Sequence, residues 1–81
     1  MIKLGKIVVS KVVQMQLSRE EVQQYIDKHR AGNWGFVSKK QRKYNELGRG
    51  PLQSYYHSSS GELLLYTEAD RSATYVEFKE V

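Results

Sequence analysis

The spacing of apolar positions changes several times along the chain, and each change marks an element. Residues 2–15, IKLGKIVVSKVVQM, are dense in valine and isoleucine. β-Branched runs suit a pleated, half-buried surface, so this stretch reads as a strand, with room for a bend near Ser10–Lys11. From Leu17 the spacing turns helical. Ser18 and Glu21 stand as the two members of a capping box, and Leu17 and Val22 as the two members of a hydrophobic staple. Val22, Tyr25, Ile26 and His29 then share one helical face. Lys28, His29 and Arg30 gather in the last turn, where the dipole favours cations, and Gly32 supplies the stop. This predicts a helix over about 19–30.

GNWGFV at 32–37 reads as a tight loop in which two glycines bracket Trp34, whose ring folds back onto the core. Ser38 with Gln41 repeats the capping pattern and opens a helix at about 39–47, ended by Gly48. Its apolar content is thin, Tyr44 and Leu47, which suits a surface helix. GRGP breaks the chain at 48–51. LQSYYHS at 52–58, ELLLYTE at 62–68 and ATYVEFKE at 73–80 alternate as strands, separated by the turn chemistry of SSSG and ADRS. Turns this short predict an antiparallel meander. The order β-α-α-β-β-β then describes one α+β domain over 1–81, with an antiparallel sheet of about four strands and two helices on one face.

Composition narrows the function classes. There is no cysteine, so disulfides and thiolate chemistry are excluded and a reducing, cytoplasmic setting is expected. Two histidines without metal-ligand spacing predict no metal site, and no cofactor motif is present. The opening residues interleave lysines with apolar positions and lack the pattern of a signal peptide, and no run reaches the ~20 apolar residues of a membrane span. Thirteen Lys and Arg against nine Asp and Glu leave a net charge of +4, a mild basic bias that suits nucleic acid or an acidic protein surface equally.

H-x-x-G-N-W-G at 29–35, N-E-L at 45–47, S-Y-Y at 54–56 and T-E-A-D-R-S-A-T at 67–74 occur in this order. Together they resemble a family of small plasmid-related or phage-related proteins carried on mobile elements and conjugative regions of gut and soil bacteria. The resemblance covers roughly residues 5–80, with Gly5, Ile7 and Val8 matching the opening strand. Two positions depart from it. Asn33 stands where an Asp is usual, and Gln41 replaces an acid in a second helix that has become basic through Lys39, Lys40, Arg42 and Lys43. The resemblance implies an accessory role in a mobile element, in regions where anti-defence proteins and regulators are common. It implies no particular reaction.

Four groups of residues carry candidate chemistry. Glu68, Asp70 and Arg71 could act as acid, base and anion grip, or could close a turn, with Asp70 accepting backbone N–H bonds and Arg71 paired to Glu68. The turn is the simpler explanation. His29 could be a general base with Ser54 brought near it by the fold, or could cap helix carbonyls. Lys39, Lys40, Arg42 and Lys43 cover about half of a helix and could neutralise phosphates, with Tyr44 or Trp34 as a stacking face and Arg49 extending the patch. Such runs are commonly solvated faces. Tyr55, Tyr56, Tyr66 and Tyr75 form the fourth group. Tyr55 lies opposite Leu52, Ser54 and Tyr56 on its strand, and Tyr75 opposite Val76 and Phe78. Tyrosines therefore appear on both faces, and the face not packed on the helices should expose an aromatic strip.

The expectation is therefore a non-enzymatic binding protein of a phage or plasmid, acting on a larger protein or nucleoprotein complex. Inhibition of a host defence complex such as a CRISPR effector is its sharpest form. Trp34, Lys39, Lys40, Arg42, Lys43, Tyr55, Arg71 and Tyr75 are the expected contact residues. A small nucleic-acid-binding regulator using the 39–43 helix is the alternative, and a small hydrolase or nuclease using His29, Glu68 and Asp70 is a third class. A homodimer through the open sheet face is also compatible with the pattern, and no membrane association is expected.

Overall fold

The valine-rich opening run divides at Ser10. The computed structural model describes residues 2–79, and in it Lys6–Val9 is strand β1 while Lys11–Gln16 is helix α1. Ser10 holds an extended backbone, and its hydroxyl accepts the Val13 N–H at 3.2 Å as an N-cap. The single strand expected over 2–15 is thus corrected to a strand and a helix. Burial gives the physical reason: Val13 is fully buried, while Val12 and Met15 are 57% and 82% exposed. One helical face meets the core, and packing outweighs the β propensity of the valines.

Helix α2 spans Arg19–Arg30 and helix α3 spans Lys39–Leu47. Both begin at a serine N-cap, with Ser18 accepting from Glu21 N–H and Ser38 from Gln41 N–H. Leu17 and Val22 meet in the same core cluster, as a staple requires. The Glu21 carboxylate does not turn back to Ser18. It accepts from the N–H and hydroxyl of Ser59 at 2.8 and 2.6 Å, tying the start of α2 to the hairpin turn. Those bonds, the Ser59 hydroxyl first and its N–H second, hold the Glu21 pKa below the usual carboxylate range.

Strands β2 (Leu52–Ser58), β3 (Gly61–Thr67) and β4 (Ala73–Phe78) form the expected meander. The expected last strand reached residue 80; it ends at Phe78, and Glu80 lies outside the described residues. The sheet order is β1-β4-β3-β2, and β1 runs parallel to β4, so the sheet is mixed rather than antiparallel. The reason is connectivity: β1 is separated from the meander by all three helices, a crossover long enough to return the chain in the same direction. Gly5 permits the pairing. Its φ is +64°, and a Cβ there would overlap the Ser72 backbone, whose carbonyl accepts the Lys6 N–H at 3.0 Å.

Helices α1 and α2 cover one face of the sheet. Val13, Leu17, Val22 and Ile26 pack with Tyr56, Leu63, Leu65 and Val76 in the main core. A smaller cluster joins Trp34, Val37 and Leu52. The third helix, α3, does not share that face. It meets the outer edge of β2, where the Asn45 amide pairs with the Gln53 backbone, and its remaining surface is largely exposed.

Candidate functional site

The strand alternation that buries Leu52, Ser54 and Tyr56 sends Gln53, Tyr55 and His57 to the opposite face, which no helix covers. Across that face the register aligns Gln53, Tyr66, Tyr75 and Val8, one from each strand. The neighbouring row is Tyr55, Leu64 and Glu77. Tyr66 and Tyr75 are therefore direct cross-strand neighbours near the middle of an open sheet. Tyr55 and Leu64 lie one row further along.

One end of this strip is polar and ordered by short-range pairs. His57 and Lys79 each approach Glu62, at 3.8 and 3.9 Å. The Lys79 ammonium also sits 4.6 Å from the centre of the Tyr55 ring. Phe36, 70% exposed, lies against His57 with ring centroids 4.4 Å apart. Its position follows from the glycine loop. Trp34 O and Phe36 N–H both bond to Tyr55, so the loop runs as a short extra strand along β2. Gly35 is required there, with φ +70° and no room for a Cβ beside the Tyr55 carbonyl. Phe36 is thereby delivered to the rim of the aromatic face.

The sequence-derived contact residues separate into two sets. Tyr55 and Tyr75 lie on the open face as expected. Lys39, Lys40, Arg42 and Lys43 are exposed on α3, and no ion pair engages them among the described residues. Trp34 is buried at 7% exposure and packs edge-on against His29, so its ring is enclosed by the fold instead of presented for contact. Arg71 is also engaged internally. Its guanidinium donates to the carbonyls of Gly48, Gly50, Glu68 and Ala69 at 2.9–3.2 Å, pinning the GRGP segment to the last turn. The expected Arg71–Glu68 pairing runs through the Glu68 carbonyl, while the Glu68 carboxylate accepts from Ser72. Asp70 accepts the Ser72 N–H at 2.9 Å, which closes the turn, and hydrogen bonding by the Ser72 side chain and then its backbone lowers the Asp70 pKa.

His29 and Ser54 do meet. The Ser54 hydroxyl bonds Nδ1 of His29, Nε2 lies 2.8 Å from Thr67, Thr67 lies 2.7 Å from Thr74, and Thr74 donates to the Leu4 carbonyl at 2.7 Å. The last bond fixes the others. Thr74 gives its only proton to Leu4, so Thr67 donates to Thr74 and accepts from Nε2–H of His29. Nδ1 is then bare and accepts from Ser54. His29, Ser54, Thr67 and Thr74 are all fully buried. Burial, with a smaller contribution from the Arg71 charge, lowers the His29 pKa to about 4 and keeps the ring neutral. A substrate could reach this pair only through an opened core.

Phe36, Leu64, Tyr66 and Val8 belong to the open face and were not among the expected contacts. Strand alternation carried the signal for Leu64 and Tyr66, but nothing in the local pattern placed Phe36 beside β2 or Val8 beside Tyr75. Among the described residues no group of three or more His, Asp or Glu side chains could hold a metal ion, and no helix is long and apolar enough to cross a membrane. Comparison with protein-family models, curated proteins and solved structures finds no match to this chain.

Proposed function

We propose that this chain is a non-enzymatic binding protein that seats its open sheet face against a larger protein or nucleoprotein assembly. One observation carries the reading: Tyr66 and Tyr75, both half-buried, stand side by side in register on a face no helix covers, continued by half-buried Tyr55 and Leu64 and by exposed Val8 and Phe36. Aromatic side chains with an apolar body and a polar tip dominate interface energetics, and they immobilise few rotamers on binding. Glu62, Glu77 and Lys79 would form the polar rim. On the mobile-element resemblance, the partner class is a host defence complex, with a CRISPR effector as the sharpest form.

Capture from a bacterial lysate tests this, with nuclease treatment and with Tyr66→Ser/Tyr75→Ser run beside the natural protein. The reading expects a stoichiometric protein partner that survives nuclease and is lost with the double variant. Retention of every partner by the double variant would exclude the face.

The exposed cations of α3, without an ion pair among the described residues, favour a second reading, a nucleic-acid-binding regulator. It expects affinity for a labelled single-stranded oligonucleotide to fall steeply with salt, and the slope to decrease by about 1 for each phosphate-contacting lysine or arginine removed.

A further inference from the structure

The two edges of the sheet are treated differently. Along β2 the outward backbone groups are engaged: Gln53 by Asn45, Tyr55 by Trp34 and Phe36, and the His57 carbonyl by the Tyr25 hydroxyl. Along β1 they are largely bare. Lys6 and Ser10 direct their N–H groups to β4, so by strand geometry Ile7 and Val9 direct theirs outward. Among the described residues, only the Val9 carbonyl has a side-chain partner there, Gln14 at 2.9 Å.

Beside this edge lies a groove of about 680 Å³. Ile7 and Val9 line it from the strand, and Leu17, Val22 and Ile26 from the helical side. It follows α2 along its length, because Arg19, Val22, Gln23, Ile26 and Arg30 all border it. Arg19 and Arg30 are the first and last residues of that helix. At 1.5 Å per residue they stand roughly 17 Å apart along the axis, the span of about five residues of extended chain. Among the described residues the lining contains both arginines and no carboxylate. Arg30 shares its charge with Asp27 on the outer side, at 3.6 Å.

We propose that the edge of β1 takes an extended peptide segment of a partner protein as a fifth strand. Alternate apolar side chains enter the groove, and acidic residues flank them to meet Arg19 and Arg30. The backbone of Ile7 supplies the ladder bonds, and the groove supplies side-chain selectivity, as in other strand additions. A second copy of this chain fits the site poorly. It would set Arg19 and Arg30 of two copies together in a protein that already carries a net charge of +4. The groove lies on the helix-covered side of the sheet, opposite the aromatic face.

Selection of random heptapeptides displayed on phage against the immobilised protein tests it. The expected binders alternate apolar residues between Asp or Glu. Their affinity should fall on the order of tenfold or more with Arg19→Glu/Arg30→Glu, as two reversed ion pairs would give. It should be unchanged with Tyr66→Ser/Tyr75→Ser. Amide exchange at Ile7 and Val9 should slow in the complex, while Gln53 and Tyr55 keep their free-protein rates. No enriched binder, or binders indifferent to the arginine reversal, overturns the proposal. So does protection of Ile7 and Val9 by self-association, seen as a dimer in sedimentation without peptide.

Discussion

Asn45 holds both peptide groups of Gln53 with a single amide. Its Oδ1 accepts the Gln53 N–H at 3.2 Å and its Nδ2 donates to the Gln53 carbonyl at 2.8 Å. Gln41 fixes the orientation by donating to the same Oδ1 at 2.9 Å. The amide stands in for a neighbouring strand, blunts the β2 edge and docks α3. Asn45→Ala should therefore destabilise the protein by about 1–3 kcal/mol, since two backbone groups lose their partner. The denaturation midpoint should fall and amide exchange in α3 should quicken. Asn45→Asp should behave similarly, because a carboxylate cannot donate to the Gln53 carbonyl.

Stability should depend on His29 in a defined pH window. The ring is neutral in the core and charges only near pH 4, whereas in the unfolded chain it charges near 6.5. Between these values the unfolded state binds more protons, so stability rises with pH. The contribution is complete above 6.5, declines as pH falls towards 4, and is level below that. The total is about 3 kcal/mol for the shift. Urea unfolding across pH 3.5–7.5 measures it, and His29→Gln should flatten the profile within this window. Glu21 and Asp70, both lowered, contribute in the same direction further into acid.

Arg71 combines a left-handed backbone, φ +62°, with four carbonyl contacts. Arg71→Ala should cost about 2 kcal/mol, as expected for hydrogen bonds from a charged donor. Arg71→Gly should be milder by about 1 kcal/mol, because glycine adopts this φ without strain. Lysine should rescue little, since one ammonium cannot span the positions a planar fork reaches. NMR titration should show the His29 pKa rising in Arg71→Ala, because a neighbouring positive charge has been removed.

Phe36 should separate binding from folding. It is 70% exposed, so Phe36→Ser should move stability by no more than about 0.5 kcal/mol. The same variant should weaken capture of a protein partner through the open face. By contrast, Gly35→Ala should destabilise by more than about 2 kcal/mol, because the added methyl meets the Tyr55 carbonyl in a strained backbone. Thermal melts of the two variants side by side check both.

Much of this protein was legible along the chain. The serine caps of α2 and α3, the period-2 alternation of the last three strands and their short turns are local signals, set by bonds within a few residues. They determined two helices, the meander, and, within each strand, the opposition of Tyr55 to Leu52 and Tyr56 and of Tyr75 to Val76 and Phe78. The first helix escaped because its valines favour a strand locally and only the burial of Val13 selects the helix. The parallel pairing of β1 escaped because it joins residues nearly seventy positions apart. Tertiary structure alone decided what the motifs do. His29, Ser54, Thr67 and Thr74 lie in three separate motifs and form one buried hydrogen-bonded chain, next to Trp34 and under the charge of Arg71. Residue type made each a candidate for chemistry. Burial made them a core, because a polar group removed from water must find its partner within the fold.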